Sequence, residues 1–308
     1  MKTLNLGYAC INQTLRPQNV FTSRTMRKNT FETKGLSHCS GLAIQNLKDL
    51  KTILEWNERN DIRFFRMSSG LFPWASEYDL FDLPDFDYIE ELLRGIGTFA
   101  KQHNHRLTFH PDHFVKLASP TEKVLLNSIR DLEVHGEIMD LMELSRTPYN
   151  KINIHVGGAY GNKKETLVRF KENMRKLPKM VFERLTVEND DRTSMFTLRE
   201  LYESIGGDDG VPLVFDYHHH ALNPGEETIL ECLVLSRWTW PTGIRPVVHY
   251  SESRRKEQDD PSIKLTAHSD FIIDKIETFD YDVDVMIEAK EKELALLRYK
   301  ELHRKEEA

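Results

Sequence analysis

Residues 184–216, RLTVENDDRTSMFTLRELYESIGGDDGVPLVFD, contain the repeating unit that decides the fold. Two short runs of apolar and β-branched residues, RLTVE at 184–188 and VPLVFD at 211–216, predict β-strands. The segment 196–205 between them has the apolar spacing of a helix. A strand, a helix and a second strand in this order predict two parallel strands joined by a crossover helix.

The same unit repeats along the whole chain. We expect strands at 4–9, 62–67, 106–110, 151–156, 184–188, 211–216, 245–250 and 283–288. We expect helices at 42–60, 86–103, 121–145, 163–176, 196–205, 226–237 and 269–278. Eight strands that alternate with helices are typical of a (β/α)₈ TIM barrel. Since no low-complexity linker divides the chain, we predict one TIM-barrel domain over residues 1–308.

Two segments lie outside this alternation. Residues 11–40 are expected to be a long first βα-loop, in which Arg24 and Arg27 supply positive charge. Residues 289–308 are expected to form a charged C-terminal helix with an apolar side against the barrel. The leucines expected on that side are Leu294, Leu296 and Leu297.

Composition excludes several classes of protein. Hydrophobic residues make up 39% of the chain and charged residues 30%, and no apolar run is long enough to cross a membrane. The N-terminus is interpreted as a strand rather than a signal peptide, so a cytoplasmic location is expected, with the nucleoid in a prokaryote. The three cysteines form no CxxC pair, which argues against a thiolate zinc site. The net charge of −7 does not favour nucleic acid, although bound divalent cations would offset it locally.

Metal-competent side chains fall at the ends of six consecutive predicted strands. In chain order they are His110, His155, Glu188, Asp216, His249 and Glu288. His219 and His268 lie in the loops just beyond. The carboxyl ends of barrel strands converge on one face, and carboxylates gathered there would repel each other unless cations were bound. The pattern therefore predicts a multinuclear metal site at this face, with ligands that suit zinc, manganese or iron.

The run His218-His219-His220 follows the sixth predicted strand. Three adjacent side chains in a loop cannot all reach one metal, so one or two of them are expected to coordinate and the others to support or face solvent.

Seven segments together resemble the ultraviolet damage endonuclease family, nearly end to end and in order. They are GYACIN (7–12), FHPDHF (109–114), HVGGAYG (155–161), VENDDR (187–192), FDYHHHALNPG (215–225), VVHYS (247–251) and MIEAKEKE (286–293). That family shares its barrel and its three-metal arrangement with endonuclease IV, an apurinic-site nuclease.

The resemblance implies a DNA repair enzyme that nicks damaged duplex DNA immediately 5′ of pyrimidine dimers and 6-4 photoproducts. The products would carry a 3′-hydroxyl and a 5′-phosphate. The cut would be made by metal-activated water, with three Mn²⁺ ions as the expected cofactors and Zn²⁺ or Mg²⁺ as alternatives. No membrane partner is expected, and we expect a monomer.

The resemblance also assigns roles to residues. His110, His155 and Glu188 would hold one metal, and Glu188 would bridge to a second. Asp216, His249 and Glu288 would complete the second site, and His219 and His268 would hold the third metal. These metal ligands, above all Glu188, His110, His155, Asp216 and Glu288, would be the catalytic residues.

Residues that contact DNA are implied as well. Tyr8 and Asn12 match family positions near the lesion, and His113-Phe114 match the pair that wedges into the helix. Arg24 and Arg27 are expected to grip backbone phosphates from the first loop.

The chain departs from the family at three places. The segment after the second strand has Glu77 where most members have a histidine ligand. Val247 stands where others carry a lysine that is carboxylated in the family, and His113-Phe114 replace a Gln-Tyr pair. These differences put the ligand sets of two metals in question.

Three other functions fit parts of the pattern. An apurinic-site endonuclease of the endonuclease IV type would use the same barrel and metals. A metal-dependent sugar isomerase of the xylose isomerase type would need a catalytic lysine and a compact pocket, and would leave the long basic loop without a purpose. A lesion-binding protein without catalysis would not need the full set of strand-end ligands.

Overall fold

A computed structural model describes residues 4–207 and 210–304. Residues 1–3, 208–209 and 305–308 of the predicted domain, including the end of the predicted C-terminal helix, lie outside the described residues. The strands are β1 Asn5–Ala9, β2 Phe64–Arg66, β3 Arg106–Thr108, β4 Ile152–Ile154, β5 Leu185–Glu188, β6 Leu213–Asp216, β7 Val247–Tyr250 and β8 Asp284–Ile287. Each lies within a predicted strand.

The eight strands are parallel and close on themselves. Seven pairings give the order β3-β2-β1-β8-β7-β6-β5-β4. A parallel bridge between Phe109 and Ile152 joins the two ends of this sheet. Its backbone hydrogen bonds run from Phe109 N to Lys151 O at 2.9 Å and from Asn153 N to Phe109 O at 3.0 Å. The prediction of a (β/α)₈ barrel is confirmed.

Helices cover the outside of the barrel. They are α1 Lys28–Arg59, α2 Phe86–Gln102, α3 Glu122–Leu141, α4 Lys163–Met174, α5 Lys179–Phe182, α6 Leu198–Leu201, α7 Tyr217–Leu222, α8 Ile229–Trp238, α9 Arg254–Glu257 and α10 Lys292–Arg304. A π-helical turn, Tyr202–Gly206, continues α6. Within the described ranges, none of the helices combines the length and the apolar composition that a membrane crossing requires.

The prediction that residues 11–40 form one loop is wrong in its second half. Helix α1 already begins at Lys28 and bends at Gly35, whose φ of 60° is left-handed. Local propensity disfavours a helix here because Gly35 interrupts it. Tertiary packing compensates, since the Phe31 ring stacks on Trp74 at 5.3 Å and Cys39 is fully buried. The loop is therefore shorter than the sequence suggests.

The predicted helix at 269–278 is also wrong, because this segment forms bends and irregular backbone. Its backbone N–H groups are bound by carboxylates from earlier in the chain instead of by carbonyls one turn back. Glu257 accepts hydrogen bonds from the N–H groups of Asp270 and Phe271. Glu252 accepts from those of Ile273 and Asp274 at 2.8 Å. These long-range hydrogen bonds replace those of a helix, although the apolar spacing of the segment predicts one.

The predicted C-terminal helix is shorter than residues 289–308, because α10 begins at Lys292. Leu296 is fully buried and Leu297 packs against the core, as predicted. Leu294 is 38% exposed, so it does not face the barrel.

The amino end of the barrel is sealed. Phe64, Val214, Val247 and Met286 form an apolar cluster with Ala9 and Trp240. Arg106 lies among them with 1% exposure and pairs with Asp284 at 2.8 Å. The candidate ligands therefore lie toward the opposite end of the barrel, at the carboxyl ends of the strands.

Candidate metal centre

The six side chains predicted as strand-end ligands lie at the open end of the barrel. Glu188 and Asp216 are the last residues of β5 and β6, and His249 lies within β7. His110, His155 and Glu288 follow the ends of β3, β4 and β8. Because side chains alternate along a strand, the inward position recurs at every second residue, and parallel pairing brings these positions together.

One group of candidate ligands consists of His110, His155 and Glu188, whose ligand atoms all lie within 4.8 Å of one another. Glu188 Oε1 lies 3.2 Å from His110 Nε2 and 2.6 Å from His155 Nε2. Two imidazoles and one carboxylate suit a divalent transition metal.

A second group consists of Glu188, Asp216 and His249, also within 4.8 Å. Here the other oxygen of Glu188, Oε2, lies 2.7 Å from His249 Nδ1. Asp216 Oδ2 is 4.0 Å and Glu288 Oε1 3.2 Å from the same nitrogen. The two oxygens of Glu188 thus face different groups, the geometry that a bridging carboxylate needs.

Two buried atoms of the second group fit a cation. Asp216 Oδ2 and His249 Nδ1 have no hydrogen-bond partner within the part of the chain that the structure describes. The other Asp216 oxygen, Oδ1, accepts from His219 N at 2.8 Å and so begins helix α7. A buried polar atom without a partner costs free energy, and an ion between these atoms would supply that partner.

Two carboxyl groups of the candidate centre have shifted pKa values. Burial raises the pKa of Asp216 to about 7, and the charges of Glu288 and Glu188 add to this rise. Burial alone would also raise the pKa of Glu188, but the neighbouring His155, His249 and His110 outweigh it and hold that pKa well below its usual range. A cation would favour the ionised form of both carboxyls.

The third predicted site is only partly assembled. His219 Nδ1 lies 3.9 Å from both Glu188 Oε1 and Asp216 Oδ2, and 2.9 Å from Asn189 O. His268 contacts Ser251 through Nδ1 at 2.6 Å, and its ring is 5.3 Å from that of His218. The assignment of His219 and His268 to one metal stays a prediction.

The three histidines of the His218-His219-His220 run have different surroundings. His219 faces the ligand groups, whereas His220 packs against Phe215 and lies 3.6 Å from Cys232 Sγ. His218 Nε2 is buried and, among the described residues, lacks a hydrogen-bond partner. His218 is therefore a candidate ligand beside His268 that the sequence interpretation did not single out.

Sequence reasoning also missed polar residues that support the ligands. Asp190 Oδ1 lies 3.1 Å from His155 Nδ1, and Arg66 forms an ion pair with Glu288. Lys151 is fully buried in the barrel, and its Nζ lies 3.3 Å from His249 Nε2. Burial lowers the pKa of Lys151 to about 7. Every second residue of a strand points to the same side of the barrel. Lys151 lies four residues before His155, so the sequence could have placed it on the inner side as well.

The position of the missing family lysine is apolar in this chain. Val247 is fully buried and belongs to the apolar cluster at the amino end of the barrel. Glu77, at the position of the family's histidine, is exposed in a short turn, Ala75–Glu77.

The roles near the lesion that the family resemblance gives to Tyr8 and Asn12 stay a prediction. Both side chains are fully buried, and that of Tyr8 points outward from β1 toward helix α1. The Tyr8 hydroxyl donates to Asn57 Oδ1 at 2.6 Å and accepts from Asn12 Nδ2 at 2.9 Å. Asn12 also accepts from Leu15 N at 2.9 Å. In this structure the two residues fix the start of the first loop.

The two arginines of the first loop differ. Arg24 pairs with Asp49 at 2.6 Å and donates to Asn19 O at 2.6 Å, and its side chain is 12% exposed. These contacts favour a structural role for Arg24. Arg27 is exposed at the start of α1.

His113 and Phe114 project from the loop after β3 at the open end of the barrel. Phe114 is 73% exposed, and the two rings lie 4.1 Å apart. An exposed aromatic ring of this size beside a candidate metal centre is available to a ligand.

Comparisons with known proteins show the family of this chain. The profile of a family described as UV-endonuclease UvdE matches residues 4–307. The chain is 41% identical over 311 residues to the UV-damage endonuclease of Schizosaccharomyces pombe, across 94% of this chain and 49% of that protein. It is 38% identical over 267 residues to the UV DNA damage endonuclease of Bacillus thuringiensis, across 83% of this chain and 80% of that protein.

A solved structure is also similar. The crystal structure of SacUVDE matches with a TM-score of 0.84 and 32% identity, and the match covers 98% of this chain and 99% of that one. The chain spans about half the length of the S. pombe relative, but nearly all of SacUVDE. The family profile covers every described residue, including all six predicted strand-end ligands. This chain therefore belongs to the UV-endonuclease UvdE family.

Proposed function

We propose that this protein is a metal-dependent endonuclease that nicks ultraviolet-damaged duplex DNA immediately 5′ of pyrimidine dimers and 6-4 photoproducts. The products would carry a 3′-hydroxyl and a 5′-phosphate. The observation that carries the proposal is the position of Glu188, whose two oxygens face two groups of ligands at the open end of the barrel. The named activity of the relatives supports the choice of substrate.

The proposed cofactors are three Mn²⁺ ions, with Zn²⁺ or Mg²⁺ as alternatives. His110, His155 and Glu188 would hold one ion; Glu188, Asp216, His249 and Glu288 would hold a second; and His219 and His268 would hold a third. When bound, such cations neutralise a phosphate and make water more acidic. Asp190 would orient the ring of His155, to which it lies 3.1 Å away.

Bound cations would also reconcile an acidic chain with a DNA substrate. The formal net charge is −7, and Glu188, Asp216 and Glu288 place part of the negative charge at the open end of the barrel, the face where DNA would bind. Two or three divalent ions would reverse the local sign of that face. DNA affinity should therefore depend on metal as well as on the arginines.

The test is a nicking assay on supercoiled plasmid. Untreated, ultraviolet-irradiated and depurinated plasmids are incubated with Mn²⁺ or with EDTA, and relaxation to the open circle is measured. We expect Mn²⁺-dependent nicking of the irradiated plasmid above the other two. Faster nicking of the depurinated plasmid would favour an endonuclease IV-like activity instead. If none of the plasmids is nicked, the proposal that this protein is a nuclease is contradicted.

Phe114→Ala should weaken binding to irradiated duplex much more than to undamaged duplex. The exposed ring can stack on bases left without partners when the lesion leaves the helix, and such stacking contributes about 1–3 kcal/mol. We expect about 5- to 150-fold weaker binding to damaged DNA, measured by fluorescence anisotropy. Melting temperature should change little, because the ring is 73% exposed.

Trp238→Ala is the matched control for Phe114. Trp238 is an aromatic residue with similar exposure, 68%, at the end of α8 on the opposite face of the barrel. It should leave both affinities unchanged. Equal losses on damaged and undamaged DNA for Phe114→Ala would rule out the wedge role.

Arg27→Gln should reduce the salt dependence of DNA binding. Each phosphate contact contributes about −0.9 to the slope of log K against log salt concentration. Neutralising Arg24 and Arg27 together should flatten the slope by about one contact, not two, because Arg24 is paired with Asp49. A slope that stays at the wild-type value in the double variant would place the first loop outside the DNA interface.

A further inference from the structure

A pair of uncharged polar side chains lies inside the barrel directly beneath Glu188. Asn153 on β4 and Thr186 on β5 are opposite each other in the parallel register, and both are fully buried. The Thr186 hydroxyl donates to Asn153 Oδ1 at 2.7 Å. Asn153 Nδ2 in turn donates to Glu188 Oε2 at 2.6 Å. Together these contacts form a short ladder of hydrogen bonds from Thr186 to Glu188.

The direction of this ladder is fixed by the chemistry of its members. A carboxylate only accepts hydrogen bonds, so the amide must turn its NH₂ toward Glu188. The amide oxygen then faces Thr186, and the hydroxyl supplies the proton that this oxygen needs. A flipped amide would set two oxygens against each other at Glu188, which is costly in a buried site.

The ladder acts on the one residue that both ligand groups share. Glu188 Oε2 receives the Asn153 bond and faces His249, which leaves Oε1 beside His110 and His155. Without the amide, rotation about the last bond of the Glu188 side chain would let one oxygen leave its group. Outer contacts of this kind orient metal ligands in many proteins.

We propose that Asn153, oriented by Thr186, is the positioning residue that holds Glu188 in its bridging orientation. This inference rests on the proposed metal centre. Neither residue touches the ions in this arrangement, so loss of the ladder should change how ions are held before it changes any chemistry.

Two buried threonines provide a matched test. Thr186 lies two residues before Glu188, and Thr108 lies two residues before His110 on β3. Both are fully buried, but the Thr108 hydroxyl has no hydrogen-bond partner in residues 4–207 and 210–304. Replacing each with Val removes the same atom from the same barrel, and only Thr186→Val breaks the ladder.

The readout is the binding of Mn²⁺ alone, without DNA. Equilibrium dialysis gives the number and affinity of bound ions, and electron paramagnetic resonance distinguishes a carboxylate-bridged, magnetically coupled pair from isolated ions. For Thr186→Val we expect about 10- to 100-fold weaker binding of at least one ion and a weaker coupled signal. Thr186→Ser should restore both the affinity and the coupled signal, and Thr108→Val should bind Mn²⁺ like the wild type. Asn153→Leu should weaken Mn²⁺ binding more than Thr186→Val does.

The outcomes separate the inference from the metal centre itself. A folded Thr186→Val with wild-type affinity and coupling would overturn the positioning role while leaving the centre intact. An equal loss in Thr108→Val would overturn it too, because the effect would then belong to the barrel in general. Wild-type protein without a coupled pair would overturn both proposals. Should Asn153→Leu fail to fold, the Val and Ser variants at Thr186 still decide.

Discussion

Glu188→Gln should lower the rate of Mn²⁺-dependent nicking by about three orders of magnitude or more. Each decade of rate corresponds to about 1.4 kcal/mol, and metal stabilisation of a phosphoryl transition state is worth several kcal/mol. The neutral amide removes the shared anion from both ligand groups, and its NH₂ would point at one of them. The rate is measured on irradiated plasmid, and the fold is checked by circular dichroism.

Glu252→Gln is the control for this variant. Glu252 is a half-buried carboxylate in the loop after β7, where it accepts backbone hydrogen bonds from Ile273 and Asp274 at 2.8 Å. A glutamine oxygen can still accept these bonds, so nicking should stay near wild type. A folded Glu188→Gln protein that cuts at the wild-type rate would refute the multinuclear centre.

Arg106→Met should lower the free energy of unfolding by about 3–5 kcal/mol, the range for breaking one side of a buried ion pair. Arg106 is 1% exposed and donates to Asp284 Oδ2 at 2.8 Å and to three backbone carbonyls, those of Tyr149, Arg245 and Pro148. Arg245 also binds Asp284, which limits the loss to the lower part of that range. Urea unfolding followed by circular dichroism measures it.

Arg146→Met is the comparison for Arg106. Arg146 is half exposed, at 50%, and pairs with Asp140 at 2.6 Å on the surface, so it should cost no more than about 1 kcal/mol. A similar decrease in the free energy of unfolding for the two variants would mean that the buried Arg106–Asp284 pair contributes little to stability.

The barrel and the grouping of side chains at its strand ends could be predicted because they depend on patterns that local sequence carries. The strands are short apolar runs, and the parallel order follows from the helices between them. Once the strands are parallel, the last residues of β5 and β6, Glu188 and Asp216, must lie at one face. No knowledge of side-chain packing is needed for this step.

The failures occurred where distant residues decide local structure. The 269–278 segment has helical spacing, but Glu252 and Glu257 capture its N–H groups from outside any local window. Residues 28–40 look like loop because Gly35 interrupts them, yet packing of Phe31 on Trp74 stabilises a helix. Tertiary contacts outweighed local preference in both places.

Residue roles transferred by family resemblance depend on more than a matching position. A matching position predicts where a residue lies along the chain, but not what its side chain contacts. Tyr8 and Asn12 match family positions, yet both are fully buried, and the Tyr8 hydroxyl donates to Asn57 of α1. The alternation of side chains along a strand could have placed Asn153 and Thr186 inside the barrel. The sequence does not show, however, whether an uncharged polar residue in a strand positions a metal ligand or only packs in the core.

The most direct test of the central claim is a crystal of the Mn²⁺-loaded protein, measured with anomalous scattering at the manganese edge. The account predicts at least two anomalous peaks on either side of Glu188. One should lie between Oε1 and the Nε2 atoms of His110 and His155, and the other between Oε2, Asp216 Oδ2 and His249 Nδ1. A fully loaded crystal with no peak, or with a single peak that Glu188 does not touch, would contradict it.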